Sequence, residues 1–181
     1  MDKKLIIAIA VIAIAVILVF VLPLSLLSAY FVVQSPIKTE QCNMQTGFRC
    51  NDPVPQIFSA TADGTVQMNL KLDNTQGMPI RVYSAVCTSG TEGDASSIPE
   101  ANRLDLGTNG ITIQPGTSYD FKVSSSQAIP CLVKNTTAKV KLPAGQDFRG
   151  YVVFWYTYEN EVDSSLKRTV PAFVSGTIKS Q

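Results

Sequence analysis

The chain begins with a long apolar stretch, in which residues 5–33 contain no charged side chain. A helix of about 20 apolar residues is long enough to cross a hydrocarbon core of about 30 Å, so the pattern predicts one transmembrane helix over residues 5–33. Lys3 and Lys4 precede this helix, whereas only Lys38 follows it closely. Because basic residues favour the cytoplasmic side of a membrane, we expect residues 1–4 in the cytoplasm and the chain beyond the helix outside the cell.

A cleaved signal peptide is the alternative interpretation of the same stretch. Its apolar region normally spans only about 7 to 15 residues and ends at a small-x-small cleavage site. Here Leu26 and Leu27 stand two positions before Ser28 and Ala29, so the cleavage site is poor. The length of the stretch and the residues at its end both favour an uncleaved membrane anchor.

Beyond the helix, the hydrophobic pattern changes to short segments. Residues 34–55 are rich in Pro, Gln, Asn and Cys, and we interpret them as an extracytoplasmic stalk. In residues 56–181, short alternating segments are separated by turn residues, which is typical of an all-β domain. The clearest strand is predicted over residues 65–72, where apolar and polar side chains alternate. Residues 151–158 are apolar or aromatic on both faces, which indicates a central strand covered on both sides.

The number of segments indicates the architecture of this domain. Roughly seven or eight strands, with no helical periodicity and no internal repeat, predict an immunoglobulin-like β-sandwich preceded by one transmembrane helix. Residues 88–109 interrupt the strands with a long polar segment that contains glycines. We interpret this segment as a loop over the surface of the sandwich, where a binding site would be expected.

The cysteines bear on both the compartment and the fold. Cys42, Cys50, Cys87 and Cys131 all lie beyond the predicted helix, and an even number of cysteines there predicts disulfides and an oxidising environment. Of the three possible connectivities, we prefer Cys42 with Cys50, since they are close in sequence, and Cys87 with Cys131, since both lie in strand-like segments. A zinc site is the alternative, but CNMQTGFRC lacks the spacing of a zinc knuckle and no second pair is present.

Charge and sequence motifs add two expectations. Outside residues 1–4, acidic and basic residues are equal in number, so no nucleic-acid partner is expected. Asn135 begins the glycosylation sequon Asn135-Thr136-Thr137, which predicts a site of sugar attachment in the extracytoplasmic domain.

The residue types give little support to catalysis. Histidine is absent, which excludes Ser-His-Asp and Cys-His nucleophilic systems and the histidine-ligated sites of zinc and copper. Carboxylates in predicted polar turns could form an acid–base pair or a peripheral calcium site, but the spacing of an EF-hand loop is missing. We therefore expect no enzyme activity, no cofactor and no metal site. The carboxylates considered are Glu92, Asp94, Asp147, Glu159, Glu161 and Asp163.

An aromatic cluster in the C-terminal part of the chain is a further candidate surface. Such side chains could form a sugar-binding platform or a subunit interface, but aromatic residues more often fill the interior of a sandwich. We therefore expect the cluster to be buried. Its members are Tyr151, Phe154, Trp155, Tyr156 and Tyr158.

Several segments together resemble a known group of proteins. After the short MDKK leader and the apolar helix come VQMNLKLDNTQGMPIRV, ITIQPGTSYDFKV and FRGYVVFWYTYENEVDSSLKRTV. In this order they resemble the pilin-like surface proteins of archaea and their immunoglobulin-like ectodomains. The resemblance implies either a processed filament subunit or an unprocessed, membrane-anchored ectodomain. Lys4 directly precedes Leu5, without the Gly or Ala of a prepilin processing site, which favours the anchored form.

The sequence thus predicts a non-catalytic, single-pass membrane protein of the cell envelope with a structural or interaction role. Its expected partners are the lipid bilayer and either another envelope protein or a second copy of itself. Two alternatives stay open. One is a pilin-like filament subunit assembled through the N-terminal hydrophobic helix, and the other is a surface module that binds a ligand or glycan through residues 88–109.

Overall fold

The computed structural model describes residues 41–50, 56–59, 63–122, 127–161 and 167–180. Within these ranges the chain is mostly β-structure, interrupted by one short helix, α1 (Glu92–Ser97), and one turn of 3-10 helix (Glu100–Asn102). The strands are β1 (Gln41–Met44), β2 (Phe48–Cys50), β3 (Gln56–Ser59), β4 (Val66–Asn74), β5 (Ile80–Thr88), β6 (Leu104–Asp105), β7 (Ile111–Ile113), β8 (Ser118–Phe121), β9 (Ile129–Leu132), β10 (Asp147–Tyr158), β11 (Arg168–Thr177) and β12 (Lys179–Ser180).

These strands form a curled, mixed sheet. The main path runs β1-β11-β10-β5-β9-β4-β3-β12, while β2 and β8 pair with β4, and β6 and β7 pair with β5. Most pairs are antiparallel, but β5 with β9 and β3 with β12 are parallel. Strand β9 forms the corner between the two halves of the sheet, because it pairs with β5 on one side and with β4 on the other.

The two halves of the sheet face each other across the main hydrophobic core. The ring of Phe121 in β8 lies 5.3 Å from that of Phe154 in β10. The ring of Phe48 in β2 lies 5.1 Å from that of Tyr156, also in β10. Among the described strand pairs, neither β2 nor β8 is bonded to β10, so these ring contacts cross the core and hold the curl closed.

Strand β4 shows how the sequence pattern builds this core. Its residues alternate between buried and half-buried along the whole strand, and the buried ones are Val66, Met68, Leu70, Leu72 and Asn74. Successive side chains of a strand point to opposite faces of the sheet, so the apolar face packs inward and the polar face meets solvent. The predicted half-buried strand over residues 65–72 is confirmed.

Residues 152–157 of β10 are buried on both faces of the sheet. Phe154 packs in the main core, whereas Val153 and Trp155 pack on the opposite face in a second cluster with Ala95 and Ile98. Ala95 lies in α1 and Ile98 follows directly after it. The short helix therefore covers the outer face of β10, and the prediction of a central strand covered on both sides is confirmed.

The stalk boundary predicted from the sequence is wrong at its C-terminal end. Part of that segment, residues 41–50, forms β1 and β2, which pair with β11 and β4. Phe48 is only 5% exposed and anchors the segment in the core. These strands have four and three residues, which is too short to show a period of two. The β domain therefore begins before residue 56, and the compact unit spans Lys38–Gln181.

The all-β class is confirmed for the described residues, but their strands number twelve rather than seven or eight. Four of the strands have three residues or fewer, and such short strands give no sequence pattern. The predicted membrane helix over residues 5–33 lies outside the described residues. In the ranges given above, none of the helices has the length and apolar character needed to cross a bilayer.

Both preferred disulfides are present. Cys42–Cys50 joins β1 to β2, and the two Cα atoms lie 6.0 Å apart. Cys87–Cys131 joins directly opposed residues of the parallel strands β5 and β9, with Cα atoms 4.4 Å apart. Cys87 and Cys131 are fully buried, whereas Cys42 and Cys50 are half-buried. One disulfide thus fastens the edge strand β1, and the other fastens the corner of the sheet.

Candidate interaction surface

Two of the carboxylates considered as catalytic or calcium-binding candidates have partners within the fold. Glu159 accepts a hydrogen bond from Arg81 at 3.1 Å, and Asp147 accepts one from the Thr177 hydroxyl at 2.9 Å. In the part of the chain that the structure describes, no three Cys, Asp or Glu side chains come together in a way that could hold a metal ion. Asp163 lies outside the described residues.

Two further carboxyl groups have lowered pKa values. A hydrogen bond from Arg168 lowers the pKa of Glu161. The backbone N–H and the hydroxyl of Thr91 both donate to Asp94 and lower the pKa of that carboxyl. A carboxyl that acts as a general acid near neutral pH needs a raised pKa instead. The arrangement therefore favours ionised, structural roles for both groups.

Residues 88–109 were expected to form a recognition loop; in the structure α1 packs onto the outer face of the sheet, and β6 pairs with β5. Thr91 and Asp94 form a capping box at the start of α1, in which each side chain accepts a hydrogen bond from the other residue's backbone N–H. The buried side chains of Ala95 and Ile98 then reach the second hydrophobic cluster. The capping residues are a sequence signal for a helix start, but a helix of six residues is too short to show helical periodicity.

Arg103 fastens this segment to the sheet. Its guanidinium carbon lies 3.6 Å from the ring centroid of Trp155, which is within the range of a cation–π contact. Its Nε and Nη2 atoms donate hydrogen bonds to the Ile98 carbonyl at 2.8 and 2.6 Å. Burial lowers the pKa of Arg103, yet a guanidinium keeps its charge in proteins. Trp155 is left only 6% exposed, so its ring is not available as a sugar-binding platform.

An aromatic hollow of about 230 Å³ lies beside α1, and we call five of its residues the outer patch. Phe173 in β11 stands opposite Asn43 in β1 and opposite Tyr151 in β10, so the three side chains share one face of the sheet. The rings of Tyr151 and Phe173 lie 5.6 Å apart, edge to face, and both are half-buried. The outer patch consists of Asn43, Glu92, Tyr151, Pro171 and Phe173.

A second hollow, of about 270 Å³, contains mainly polar groups. Lys167 donates a hydrogen bond to Glu100 at 2.9 Å, and its ammonium lies 5.2 Å from the ring centroid of Tyr83. Asp105 and Thr108 also line this hollow. Lys167 and Glu100 already form a hydrogen bond with each other. A partner protein would therefore find fewer unpaired groups to contact in this hollow than at the half-buried rings of the outer patch.

Asn135 lies in an exposed turn that follows β9. Its φ is +55°, in the left-handed region that Asn tolerates better than most residues. The backbone N–H and the hydroxyl of Thr136 both donate to the Val133 carbonyl at 3.0 Å and close the turn. A hollow of about 540 Å³ separates this turn from α1 and the residues that follow it.

The structure divides the aromatic cluster predicted to be buried. Phe154, Trp155 and Tyr156 are 0%, 6% and 7% exposed, which confirms the prediction for them. Tyr151 and Tyr158 are only half-buried, and Tyr151 belongs to the outer patch. Sequence analysis missed Phe173, because its pairing with β10 brings together segments whose register the sequence does not specify.

No protein-family model matches the chain, and no curated protein matches it either. The resemblance to the pilin-like surface proteins of archaea stays a prediction.

Proposed function

We propose that this protein is a single-pass membrane protein of the cell envelope that holds an immunoglobulin-like β-sandwich outside the membrane as a non-catalytic interaction module. The observation that carries the proposal is the buried Cys87–Cys131 disulfide in the core. Disulfides persist in oxidising compartments and are rare in the cytosol. The uncharged residues 5–33 provide the anchor in this proposal.

The architecture supports the sandwich in two ways. The two halves of the sheet face each other across one core, and β9 connects them at a corner, as expected when a chain builds two packed layers. The lowered pKa values of Asp94 and Glu161 support the non-catalytic role.

The outer patch is the contact surface of the module in this proposal. Interface centres are enriched in aromatic side chains and depleted in charge, and the outer patch has two half-exposed rings with a polar rim formed by Asn43 and Glu92. Its partner is another envelope protein or a second copy of the chain. The remaining outer face of β10 is unavailable, since α1 and Arg103 already cover it.

Fractionation and labelling test the placement. The full chain should sediment with membranes, and a membrane-impermeant amine reagent on intact cells should label the exposed Lys139 and Lys141. Lys3 and Lys4 should react only after permeabilisation. Labelling of Lys3 and Lys4 alone on intact cells, or free thiols at Cys87 and Cys131 in the native protein, would contradict the proposal.

Site-specific cross-linking tests the interaction. A photoreactive side chain in place of Phe173 should form a protein adduct in intact cells, whereas the same group in place of Thr112, an exposed residue of β7, should not. An adduct of twice the chain mass identifies self-association, and any other mass identifies a different envelope protein. Equal adduct yields at the two positions, including none at either, would count against the outer patch.

A further inference from the structure

We propose that Asn135 carries an N-linked sugar, and that the first sugar residue packs over Val133 and Thr137, beside the hollow that lies between this turn and α1. The inference rests on the extracytoplasmic placement proposed above. It goes further by naming the modified atom, Asn135 Nδ2, and the protein surface that receives the sugar.

The turn leaves the sequon accessible to a glycosyltransferase, as an acceptor site requires. Every residue from 133 to 139 is exposed, so both the Asn135 amide and the Thr137 hydroxyl two positions later are accessible to a transferase. The positive φ of Asn135 places it at the bend of the loop. Val133 N–H donates to the Ala138 carbonyl at 2.8 Å, and this bond holds the two arms of the loop together on either side of Asn135.

An apolar side chain next to the acceptor gives the sugar a surface to cover. Val133 is 39% exposed and Met78 is 44% exposed, and these are the large hydrophobic residues most open to solvent in the described part of the chain. Val133 precedes Asn135 by two positions, on the arm opposite Thr137. The C–H face of a pyranose ring attached to Asn135 can cover Val133 and the Thr137 methyl group, and removing apolar surface from water is favourable.

The hollow beside the turn has groups that suit the rest of the sugar. Its volume is about 540 Å³, which is typical of sites for small molecules. Asp94 and Ser97 line the far wall and can bond sugar hydroxyls, while Ile98 and Pro99 add apolar surface. The part of the glycan that extends from the first sugar into the hollow would therefore meet polar and apolar groups on the far wall.

The modification is a group transfer from a glycosyl phosphate donor. Asn135 Nδ2 forms a bond to the anomeric carbon of the sugar and loses one proton to a base of the transferase. The bond between the anomeric carbon and the phosphate oxygen breaks, and the phosphate leaves with the electron pair. No atom is oxidised or reduced.

Four variants of the full chain test the modification in cells that N-glycosylate their exported proteins. Mass spectrometry of the tryptic peptide that spans residues 135–139 should show a sugar on the unaltered protein. Thr136→Ala and Thr137→Ser keep the sequon and should keep the sugar, whereas Thr137→Ala and Asn135→Gln should lose it completely. An unmodified Asn135 in the unaltered protein would overturn the inference, as would a sugar retained in Thr137→Ala.

A location readout from the same cells separates this inference from the proposed function. Impermeant amine labelling of Lys141 reports whether the domain is outside. If Lys141 is labelled and Asn135 is unmodified, the sugar inference fails and the proposed placement stands. If Lys141 is protected and Asn135 is unmodified, both fail together.

A thermal unfolding cycle tests the packing. Val133→Ser should lower the melting temperature of the glycosylated protein more than it lowers that of the Asn135→Gln variant. Only the glycosylated protein has a sugar that packs on the Val133 side chain. Met78→Ser is the matched control, since Met78 is distant in sequence from the sequon, and should give equal shifts in both backgrounds. Equal shifts for Val133→Ser would overturn the packing of the sugar on Val133.

Discussion

At the scale of single residues, Gly150 shows how tightly the central strands approach each other. A Cβ atom added at Gly150 would lie 1.9 Å from the Thr88 carbonyl oxygen, a backbone atom that cannot turn aside. We expect Gly150→Ala to lower the free energy of unfolding by about 2–3 kcal/mol, because β10 and β5 must move apart. Urea unfolding measures this change.

The matched control is Gly77→Ala, at a glycine whose added Cβ would meet no atom within 4 Å. Its φ is outside the left-handed region, so alanine should leave stability unchanged or raise it by up to about 1 kcal/mol through the unfolded state. Equal losses for the two substitutions would show that close approach at Gly150 is not the cause.

Arg103 gives a second residue-scale prediction with a spectroscopic readout. Trp155 is the sole tryptophan of the chain, and the Arg103 guanidinium covers its ring. Arg103→Ala should shift the fluorescence of Trp155 to longer wavelength and lower the free energy of unfolding by about 1–2 kcal/mol, since a cation–π contact and two hydrogen bonds are lost. Arg149→Ala, at an exposed position of β10, should leave the emission unchanged. An unchanged emission in Arg103→Ala would contradict the stacking.

Asp94 predicts part of the acid sensitivity of the domain. Thr91 holds the pKa of Asp94 below its ordinary value, so its contribution to stability is complete above the unfolded-state pKa of about 3.9 and is lost as the pH falls through the lower folded-state value. Asp94→Asn removes this titration. The fall in melting temperature between about pH 7 and about pH 2 should therefore be smaller in Asp94→Asn than in the unaltered protein.

The control for this pH experiment lies in the same turn of α1. Glu92 is exposed and makes no capping hydrogen bond in the described structure, so Glu92→Gln should reduce the acid sensitivity less than Asp94→Asn does. If the melting temperature of Asp94→Asn fell more at low pH than that of the unaltered protein, the effect would have the opposite sign to the one that a lowered Asp94 pKa requires. That result would contradict the capping role.

At the scale of elements, the two disulfides differ in how much each should stabilise the domain. The Cys87–Cys131 loop is much longer than the Cys42–Cys50 loop. Loop entropy gives upper values of about 4 kcal/mol for the longer loop and about 2.5 kcal/mol for the shorter one. Replacing both cysteines of a pair by alanine should therefore destabilise the domain more at Cys87 and Cys131, as chemical denaturation would measure.

Burial predicts the order in which the disulfides are reduced. Cys42 and Cys50 are half-buried at the edge strand, whereas Cys87 and Cys131 are fully buried. Mild reductant with alkylation and peptide mass analysis should find the Cys42–Cys50 bond opened first, without loss of the fold. Opening of Cys87–Cys131 first would mean that the corner at β9 opens more readily than the edge.

The elements also show what a sequence can and cannot specify here. Strand β4 and the two-sided strand β10 were predictable because each has eight or more residues in a regular pattern. Strands β1 and β2 and helix α1 were not, since each is shorter than the pattern that would identify it. The outer patch could not be predicted either, because its residues come from three separate strands and from α1, which only the folded chain brings together.

At the scale of the whole molecule, the outer face of the sheet is only partly covered, and the uncovered part forms a defined surface. The main core fills the inside of the curl, and α1 with Arg103 covers the outer face around Trp155. Beyond this cover, Tyr151 and Phe173 stay half-exposed next to the edge strand β1. The domain can therefore present an aromatic surface beside β1 while Phe154 and Trp155 stay buried in its two hydrophobic clusters.

The compact unit Lys38–Gln181 has its own core and both disulfides, so it should fold without residues 1–37. Exported into an oxidising compartment, residues 38–181 should be water-soluble and should unfold cooperatively in urea, whereas the full chain should need detergent because of its uncharged residues 5–33.

The informative control is the fragment 56–181, which begins at the boundary that the sequence alone suggested. It lacks Phe48 and the Cys42–Cys50 bond, and it leaves the edge of β11 unpaired, which favours aggregation. If fragment 56–181 were as soluble and as stable as residues 38–181, then β1 and β2 would be an accessory to the domain and the structural boundary would be wrong.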